Sequence, residues 1–338
     1  MKKIGIVGCG IRGLLYERAL ASVDGAMVAG MCDPSPKARE AAARQFSGPI
    51  LDRYEDVYAL GLDAAIVATP DFAHREAAVA AAAAGMTLMV EKPLATSVED
   101  AEAVQAAVTA AGVECLVAFE NRWNPHFLRA RQLVAEGSLG SVLTMTGVLS
   151  NTYYVPLQML SWASSSSPAW FLMPHLVDLA LWMSNSTPVS VMARGTRGEL
   201  VSRGVDTWDT IHALVTFDSG AVANLQSSWV LPDSRPSIVD FRFETVGSQG
   251  ATVVDMNYQG LQTATQTWAS PGVLPAEIDG EEQSMAAWMV RSFGRRVVAG
   301  EPLAPGVDQG LLVTRIVDAI LASVASSKAQ AIVATAIG

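Results

Sequence analysis

The stretch KIGIVGCGIRG, Lys3 to Gly13, joins a short apolar run to three closely spaced glycines. An apolar run of this length predicts a buried strand, and the segment after the glycines predicts a helix. Gly8 permits a tight turn, Gly10 lets an anion approach the backbone, and Gly13 allows the helix to pack closely on the strand. Because a helix N-terminus presents free N–H groups, the stretch predicts a phosphate-binding turn.

The same alternation of short apolar runs and longer Ala-rich segments continues to about residue 120. Strands and helices that alternate at this spacing predict an α/β fold with a doubly wound parallel sheet, as in a Rossmann domain. Ser97 before Asp100 predicts a helix N-cap, and Gly85 and Gly112 predict helix ends. The predicted strands are Lys3–Val7, Met27–Cys32, Asp63–Ala68, Thr87–Val90 and Glu114–Phe119, and the predicted helices are Ile11–Val23, Pro36–Phe46, His74–Gly85 and Val98–Gly112.

The pattern changes after about Pro125. Runs with alternating polar residues and few helices predict a largely antiparallel sheet with one covered face. A chain of 338 residues also favours two domains. We therefore predict a Rossmann domain at residues 1–123 and, at residues 124–338, an α+β domain with a large, mostly antiparallel open sheet. The predicted strands here are Val142–Leu149, Val189–Arg194, Ile211–Phe217, Ala221–Trp229, Ile238–Val246 and Ala251–Asp255, and the predicted helices are Phe127–Glu136, Glu281–Ala299 and Gln309–Ala325.

Charged residues are sparse, at 17% of the chain, where about 25% is typical. The 23 basic and 33 acidic residues give 23 − 33 = −10, which argues against a nucleic-acid partner. Gly137–Val177 has no charged residue at all, yet polar residues and prolines interrupt it, so we predict no membrane span and a cytoplasmic protein. Three scattered cysteines, without a His, Cys and acid cluster at metal-ligand spacing, predict reduced thiols and no metal site.

A second predicted strand ends at Asp33, twenty residues after Gly13. A carboxylate at that point accepts hydrogen bonds from both ribose hydroxyls of NAD and repels the 2′-phosphate of NADP. We therefore predict a dinucleotide cofactor, NAD rather than NADP. NADP stays open because Arg12, Ser35 and Lys37 could together hold a phosphate. A glycine turn with a loop-end acid also occurs in other doubly wound folds.

Six short motifs are spread over residues 4–178. They are Gly8–Gly13, Ala68-Thr-Pro-Asp71 with His74, Glu91-Lys-Pro-Leu-Ala95, Asn121-Arg-Trp-Asn-Pro125, Gly137-Ser-Leu-Gly140 and His175-Leu-Val-Asp178. Together they resemble the glucose–fructose oxidoreductase, inositol dehydrogenase and rhizopine-catabolism (MocA) oxidoreductase family. The order of the later predicted strands and helices also fits, so the resemblance extends over nearly the whole chain. The combination of motifs is specific although each motif alone is not. It implies an NAD(P)-dependent enzyme that transfers a hydride between nicotinamide C4 and a carbinol or carbonyl carbon of a sugar or polyol.

The resemblance also implies catalytic roles. Lys92 matches the family's catalytic lysine, whose ammonium would stabilise a developing alkoxide, and its peptide bond to Pro93 is expected to be cis. His175 matches the histidine that exchanges the hydroxyl proton, and Asp178 would orient its ring or hold a substrate hydroxyl. Without the family pattern, Lys92 would be interpreted as a solvated surface lysine, and His175 and Asp178 as structural residues of a helix start.

Further residues follow from the same resemblance. His74 is expected to support the cofactor loop near Thr69 and Pro70. The expected cofactor-binding residues are Gly8, Gly10, Ile11, Arg12, Gly13, Asp33, Thr69, Pro70, His74, Glu91, Lys92 and Asn121. The expected substrate contacts are Lys92, Tyr153, Tyr154, Trp162, Phe171 and His175.

Phe171 departs from the family pattern. Inositol dehydrogenases of the family carry an Asp four residues before the histidine, which completes a Lys-Asp-His triad. Phe171 and Trp162 could offer aromatic surface to a sugar ring, although core packing is their simpler role. The candidates to replace the missing carboxylate are Asp178, Tyr153, Tyr154 and Asn121.

Two other functions stay open, a related keto-sugar lyase or isomerase that recycles its cofactor, and a catalytically impaired dinucleotide-binding protein.

The open face of the predicted antiparallel sheet needs cover, and the resemblance implies that a second subunit supplies it, so we expect a homodimer or homotetramer. The lack of charge in Gly137–Val177 predicts a neutral, hydroxyl-rich substrate, because a carboxylate or phosphate would require a basic partner.

Overall fold

The structure, a computed structural model, describes residues 1–266, 268–269 and 272–333. The chain forms two compact units. The first comprises Met1–Trp123 and Leu274–Thr314, and the second comprises Asn124–Val273 and Arg315–Gly338. The first unit is therefore built from two separate stretches of chain. Residues 334–338, the end of the predicted second domain, lie outside the described residues.

The sheet of the first unit has six strands, β1 Lys2–Val7, β2 Ala26–Cys32, β3 Ile50–Leu51, β4 Ala64–Val67, β5 Thr87–Val90 and β6 Cys115–Val117. All neighbouring strands pair in parallel, in the order β3-β2-β1-β4-β5-β6. This is the order of a doubly wound Rossmann sheet, so the predicted fold class is confirmed. The winding reverses between β1 and β4, and ligands of such sheets bind outside the carboxyl ends of the strands at that point.

Five α-helices accompany these strands, α1 Ile11–Leu20, α2 Pro36–Ala42, α3 Tyr54–Tyr58, α4 Arg75–Ala83 and α5 Val98–Ala111. The predicted caps of α5 are confirmed. The Ser97 hydroxyl accepts the N–H of Asp100 at 3.1 Å, and Gly112 ends the helix in the left-handed conformation, with φ of 62°. β3 and α3 are missing from the sequence predictions because segments of two and five residues are too short to show a periodicity.

The sheet of the second unit has seven strands. Six of them are β7 Val142–Thr152, β8 Pro188–Thr196, β9 Thr210–Phe217, β10 Val222–Leu231, β11 Val239–Gly247 and β12 Ala251–Asp255. They lie in the order β12-β11-β7-β10-β9-β8, and a two-residue strand near the C-terminus continues the β8 edge. Only β7 and β10 pair in parallel among these six, which confirms the predicted mostly antiparallel sheet.

Four α-helices belong to this part of the chain, α6 Pro125–Ala135, α7 Pro168–Phe171, α8 Met173–Ser184 and α9 Glu199–Ser202. α8 lies directly on β7, since a side chain at Gly147 would come within 3.0 Å of Leu176. Side chains of a strand alternate between faces, and paired residues of neighbouring strands share a face. Leu225 of β10 pairs with Gly147 and therefore shares its face. We call this side, on which α8 packs, the helix-covered face.

The rest of the chain contains short strands and two long helices, α10 Met285–Ala299 and α11 Val307–Ser326. The prediction of a helix from Glu281 is wrong, because Glu281–Gln283 form a strand and the Ser284 hydroxyl caps α10. Glu and Gln favour helices, but pairing with a neighbouring strand overrides that preference here. The short strands are β13 Thr263–Ala264, β14 Trp268–Ala269, β15 Ala276–Ile278, β16 Glu281–Gln283 and β17 Gln330–Ala331.

One helix of the described residues, α11, is long and apolar enough to cross a membrane by length and composition alone. Half of its most apolar 18-residue window is buried inside the protein. Val313, Val317 and Ile320 have no exposed surface. Burial of this kind is typical of a core helix, which passes the same test of length and hydropathy.

A hydrophobic core joins the two stretches of the first unit. Leu20 at the end of α1 packs on Gly294 of α10 so closely that a Cβ there would lie 2.8 Å from the leucine side chain. Phe293 belongs to the same buried cluster as Ile6 of β1. Residues 274–314 therefore contribute to the core of the first unit.

Candidate cofactor site and catalytic residues

Two glycines of the turn after β1 are required by backbone contacts. Gly8 has φ of +108°, in the region that favours glycine, and a Cβ there would lie 2.4 Å from the carbonyl oxygen of Ala68. A Cβ at Gly13 would lie 1.8 Å from the carbonyl oxygen of Gly8. Because a backbone oxygen cannot rotate aside as a side chain can, neither position accepts a larger residue without a change in the turn.

Gly10 lies in open surroundings. Its φ of −77° suits any residue, and a Cβ there would meet no atom of the described residues within 4 Å. It precedes the first turn of α1, and no side chain of the described residues caps that helix end with a hydrogen bond. The N-terminus of α1 therefore adjoins free space beside a bare backbone, which fits the pyrophosphate of a dinucleotide.

Asp33 is anchored at the end of β2 by two backbone donors. Its Oδ2 accepts the N–H of Cys9 at 2.9 Å, and its Oδ1 accepts the N–H of Ser35 at 2.8 Å. A carboxylate offers about four acceptor positions, so about two remain for the hydroxyls of a ribose. Burial and the neighbouring Asp33 raise the pKa of the Cys9 thiol to about 12, so the negative charge of this turn resides on Asp33.

Arg12 is engaged in an ion pair within the same unit. Its guanidinium donates to both carboxylate oxygens of Glu120, at 2.6 and 2.9 Å. Bidentate pairs are the strong form of this interaction. Of the three side chains considered for a 2′-phosphate, Arg12 therefore already has its charge balanced, whereas Ser35 and Lys37 are exposed at the start of α2.

Lys92 lies at the carboxyl end of β5 and exposes only 8% of its surface. Its peptide bond to Pro93 is cis, as the family resemblance implied. The preceding Glu91 accepts hydrogen bonds from the Tyr16 hydroxyl and, at 3.0 Å, from the backbone N–H of Lys92. The Nε atom of Arg12 lies 3.8 Å from the same carboxylate. A buried, well-held carboxylate thus stands directly beside the lysine.

The surroundings of Lys92 disfavour its charge. Burial lowers the pKa of the ammonium below the ordinary value of lysine. The carboxylate of Glu91 opposes this shift, the guanidinium of Arg12 adds to it, and the net direction stays downward. An amine with a lowered pKa gives up its proton more readily, and such shifts cluster at catalytic sites.

His74 connects the loops that follow β4 and β5. Its Nδ1 lies 2.7 Å from the carbonyl oxygen of Pro93, and its Nε2 lies 3.1 Å from that of Thr69. The ring is buried, which lowers the pKa of the imidazole. His74 therefore holds the Thr69 loop next to the cis peptide of Lys92.

The fold places the expected cofactor residues at one edge of the first sheet. Gly8–Gly13 follow β1, Asp33 follows β2, and Thr69 and Pro70 follow β4. Glu91 and Lys92 follow β5, and buried Asn121 follows β6 in a short turn. The carboxyl ends of parallel strands meet at the same edge. The two carboxylate contacts made by Arg12 and by Tyr16 were missing from the sequence predictions.

His175 and Asp178 lie on α8 in the second unit, and both are buried, with 8% and 1% of their surface exposed. Their spacing of three residues makes them neighbours on the helix surface. Because α8 packs on β7 and β10, these residues belong to the layer that lies on the helix-covered face.

Phe171 packs between two tryptophans of the second unit. Its ring lies 6.0 Å from that of Trp162 and 5.7 Å from that of Trp229, both in edge-to-face geometry. Trp229 is fully buried on β10 and was predicted only as a strand residue. The position at which the resemblance leads one to expect an Asp is thus part of an aromatic cluster.

The two tyrosines of the expected substrate set have other partners. The Tyr153 hydroxyl lies 3.3 Å from a carboxylate oxygen of Glu199, and the guanidinium of Arg203 lies 4.1 Å from the centre of its ring. Tyr154 is exposed, and its backbone N–H donates to Asp233 at 2.8 Å. Neither contact involves His175 or the aromatic cluster.

An open depression of about 280 Å³ in the second unit is lined by the serine run 164–167. Trp170, Trp208 and the ion pair of Arg197 with Asp206 complete most of its wall. His175 and Asp178 are not among its lining residues. Within residues 1–266, 268–269 and 272–333, no group of three or more His, Cys, Asp or Glu side chains is placed to hold a metal ion.

A doubly wound sheet with a glycine turn at its switch point and an acid at the end of β2 defines a dinucleotide-binding protein. Residues 2–119 match the oxidoreductase family with an NAD-binding Rossmann fold, and residues 127–253 match the GFO/IDH/MocA C-terminal domain. The protein belongs to this GFO/IDH/MocA family of NAD-binding oxidoreductases.

Individual relatives align with this chain over most of their own length. The chain is 24% identical over 334 residues to inositol 2-dehydrogenase of Rhizobium meliloti, covering 96% of this chain and 98% of the relative. It is 25% identical over 279 residues to scyllo-inositol 2-dehydrogenase (NAD(+)) of Bacillus subtilis, covering 81% and 80%. Scyllo-inositol dehydrogenase from Lactobacillus casei, solved with NAD(H) and scyllo-inositol, superposes with a TM-score of 0.85 at 17% identity over 98% of this chain and 99% of that one. That superposition shows the same fold.

Proposed function

We propose that the protein is an NAD-dependent dehydrogenase of a neutral sugar or polyol. The observation that carries the proposal is buried Lys92, with its lowered pKa, at the carboxyl end of β5 beside Glu91. The inositol dehydrogenases among the relatives support the substrate class. We assign cofactor binding to residues 1–123 and substrate binding to residues 124–338, in a homodimer or homotetramer.

Each proposed residue has a chemical task. The turn of Gly8–Gly13 holds the pyrophosphate, and Asp33 accepts the ribose hydroxyls. When bound, NAD supplies the acceptor for the hydride of the carbinol carbon. His175 takes the hydroxyl proton, and the Lys92 ammonium stabilises the resulting alkoxide charge. Asp178 orients the His175 ring.

The test is a screen in which the protein and NAD are mixed with neutral sugars, inositols and sugar acids while nicotinamide absorbance is followed. We expect reduction of NAD with at least one neutral polyol. An increase in nicotinamide absorbance without a substrate counts against the proposal. So does the absence of an increase with every compound in the screen. Faster turnover of a uronate than of its neutral analogue counts against the neutral substrate class alone.

A first prediction concerns the choice of cofactor. Asp33→Asn keeps an oxygen that can accept the N–H of Cys9 or Ser35 but removes the charge. Loss of charged hydrogen bonds to the ribose should lower NAD affinity about tenfold, and loss of repulsion should raise relative affinity for NADP. Titrations of both cofactors measure the ratio. Glu40→Gln removes a charge from an exposed position on α2 and should leave the ratio unchanged; an unchanged ratio in Asp33→Asn contradicts the assignment.

A second prediction concerns pH. If Lys92 acts as an ammonium, kcat/KM for polyol oxidation falls as pH rises through its lowered pKa, and this limb lies below ~10.4, the ordinary value of lysine. Stability changes in the opposite sense. Above the lowered pKa the folded protein binds fewer protons at this site than the unfolded chain, so its contribution to stability rises with pH.

The profile is measured as kcat/KM and unfolding temperature across the same pH series. Lys92→Arg is the matched control, because its guanidinium stays charged throughout and should remove the alkaline limb even if it lowers the rate. If the alkaline limb of kcat/KM is unchanged in Lys92→Arg, the limb reports the titration of another group and not of Lys92.

The packing of Phe171 between Trp162 and Trp229 favours a second candidate, a protein that binds NAD without catalysis. An aromatic ring there can neither accept a proton nor orient the imidazole as a carboxylate would. This candidate predicts tight NAD binding, measured by titration, together with no turnover of any compound in the carbohydrate screen.

A further inference from the structure

Tyr16, on helix α1, contacts the loop that follows β5. The residue has no exposed surface, and its hydroxyl donates to Oε1 of the Glu91 carboxylate. The other oxygen of that carboxylate accepts the backbone N–H of Lys92 at 3.0 Å. The backbone N–H of Glu91 donates to the carbonyl oxygen of Val67 at 2.9 Å, which fixes this loop to the end of β4. A buried phenol of the cofactor helix is therefore bonded to the residue that precedes the proposed catalytic lysine.

Arg12 does not replace this contact. It lies one turn before Tyr16 on α1, and residues four apart share one side of a helix. Its two terminal nitrogens donate to Glu120 at 2.6 and 2.9 Å. Its Nε lies 3.8 Å from Oε1 of Glu91, which is beyond hydrogen-bond distance. Tyr16 therefore supplies a side-chain hydrogen bond to Glu91 that Arg12 does not.

The Tyr16 hydroxyl acts on Glu91 as a hydrogen-bond donor. Burial and, after it, the neighbouring Glu91 carboxylate raise the pKa of the phenol well above its ordinary value, so the hydroxyl keeps its proton. An ionised carboxylate only accepts hydrogen bonds, and bonds to a charged acceptor are stronger than those between neutral groups. The phenol thus fixes the direction in which the carboxylate points.

The position of this carboxylate matters for the charge of Lys92. Burial lowers the pKa of the lysine, and nearby charges modify the shift. The carboxylates act against burial, that of Glu91 first and those of Asp71 and Glu120 after it. The guanidinium of Arg12 acts in the same direction as burial. Because Coulomb attraction weakens with distance, a Glu91 carboxylate that left its place would support the ammonium less.

We propose that Tyr16 is a positioning residue whose hydroxyl holds the Glu91 carboxylate at the place where its charge helps Lys92 to keep a proton. The inference rests on the proposed function, because it assigns Tyr16 to the catalytic lysine of that reaction. It also gives α1 two tasks, since its N-terminus faces the space assigned to the pyrophosphate and Tyr16 reaches the lysine loop.

The experiment measures the protonation of Lys92 without any need for turnover. The chain has five lysines, so protein that carries lysine labelled with ¹³C at Cε gives few NMR signals, and Lys92→Arg identifies the signal of Lys92. Its position is followed against pH in wild type, Tyr16→Phe, Glu91→Gln and the double variant. Tyr16→Phe keeps the buried ring and removes only the hydroxyl.

The titration midpoint of Lys92 is the expected difference. Glu91→Gln should move it to lower pH, because the charge that acts most strongly against burial is gone. Tyr16→Phe should move it in the same direction by a smaller amount, since the charge remains but is no longer held. In the Glu91→Gln background, Tyr16→Phe should cause no further shift, because a residue that acts through Glu91 has nothing left to position.

Tyr58→Phe is the matched control. It removes another phenol hydroxyl of the first unit, which donates to the carbonyl oxygen of Ala77 at 2.9 Å, and should leave the midpoint of Lys92 unchanged. Glu91→Asp tests the same contact from the other side, because it keeps the charge but draws the carboxylate back from Tyr16. It should also lower the midpoint, and it keeps the test decisive if Tyr16→Phe does not fold.

Each outcome bears on the role of Tyr16. An unchanged or raised midpoint in Tyr16→Phe overturns it, as does an unchanged midpoint in Glu91→Asp or an equal shift in Tyr58→Phe. A further shift in the double variant also overturns it, since Tyr16 would then act on Lys92 by another route. If wild type oxidises a polyol, the alkaline limb of kcat/KM should move with the NMR midpoint in Tyr16→Phe, and a limb that stays in place contradicts the link to catalysis.

The proposed function can fail separately. A midpoint that Tyr16→Phe lowers, in a wild-type protein that reduces no NAD with any compound of the screen, supports the positioning role of Tyr16 while the proposed dehydrogenase activity fails.

Discussion

Lys92→Met is expected to reduce polyol oxidation by about 10²–10⁴-fold, the usual contribution of a group that handles a proton or charge in the transition state. The folded protein should remain at least as stable as wild type. Burial lowers the pKa of Lys92, which means that the folded structure disfavours its charged form. A methionine has a similar length and no charge to desolvate. Activity and stability therefore change in opposite directions.

Three measurements test this expectation: kcat/KM for a polyol, NAD affinity by titration, and the unfolding temperature near neutral pH. Lys3→Met is the matched control, since Lys3 is exposed on β1 and should show neither effect. Wild-type turnover in Lys92→Met refutes the catalytic role. A marked fall in unfolding temperature refutes the view that the lysine is held at a cost in stability.

Gly10→Ala and Gly13→Ala are expected to impair different properties of the protein. Gly13→Ala should lower the stability of the fold, and Gly10→Ala should lower the affinity for NAD. At Gly13 the new methyl group would lie 1.8 Å from the carbonyl oxygen of Gly8, so the turn must move. Overpacking of this kind typically costs ~1–3 kcal/mol and sometimes more, and we expect the upper end because backbone must shift. At Gly10 the methyl group meets no atom within 4 Å in the part of the chain that the structure describes, so stability should stay within about 0.5 kcal/mol of wild type.

NAD affinity tests whether Gly10 lies at the cofactor site. We expect Gly10→Ala to lower NAD affinity at least about tenfold despite its normal stability, because the methyl group would occupy the space assigned to the pyrophosphate. Thermal unfolding and NAD titration of both variants measure the contrast. Ala43→Gly is the control, because it changes backbone freedom at the end of α2, away from the glycine turn, and should leave NAD affinity unchanged. Gly61→Ala would not serve, since φ at Gly61 is +70°. Normal NAD affinity in Gly10→Ala would place the cofactor elsewhere.

Much of the fold was predictable because local and tertiary preferences agree. The strands of the first sheet are continuous apolar runs, so β5 was predicted at its observed bounds, Thr87–Val90. Ser97 and Gly112 act as caps through contacts within a few residues, which a sequence displays directly. The prediction for Glu281–Gln283 was wrong because local and tertiary preferences differ there. The side chains favour a helix, whereas pairing with β15 makes the segment a strand.

The candidate site was less predictable because its determining contacts are distant in sequence. The spacing of the glycines and Asp33 indicated a cofactor turn. Nothing local indicated that Tyr16 would hydrogen-bond Glu91, or that Arg12 would pair with Glu120, more than a hundred residues away. The indole N–H of Trp229 has no hydrogen-bond partner among the described residues, and no sequence pattern could show this, because a buried strand residue has the same periodicity with and without a hydrogen bond.

The discontinuous first unit has a consequence for the order of events during synthesis. Its core includes Phe293 and other residues of α10, which a ribosome produces only after strands β7 to β12 of the second unit. Until then, the part of the α1 surface around Leu20 that packs on α10 lacks that partner. We therefore expect the nascent N-terminal half to expose this apolar surface until α10 is made, the kind of surface that chaperones bind, and a chain truncated before residue 274 to keep it exposed.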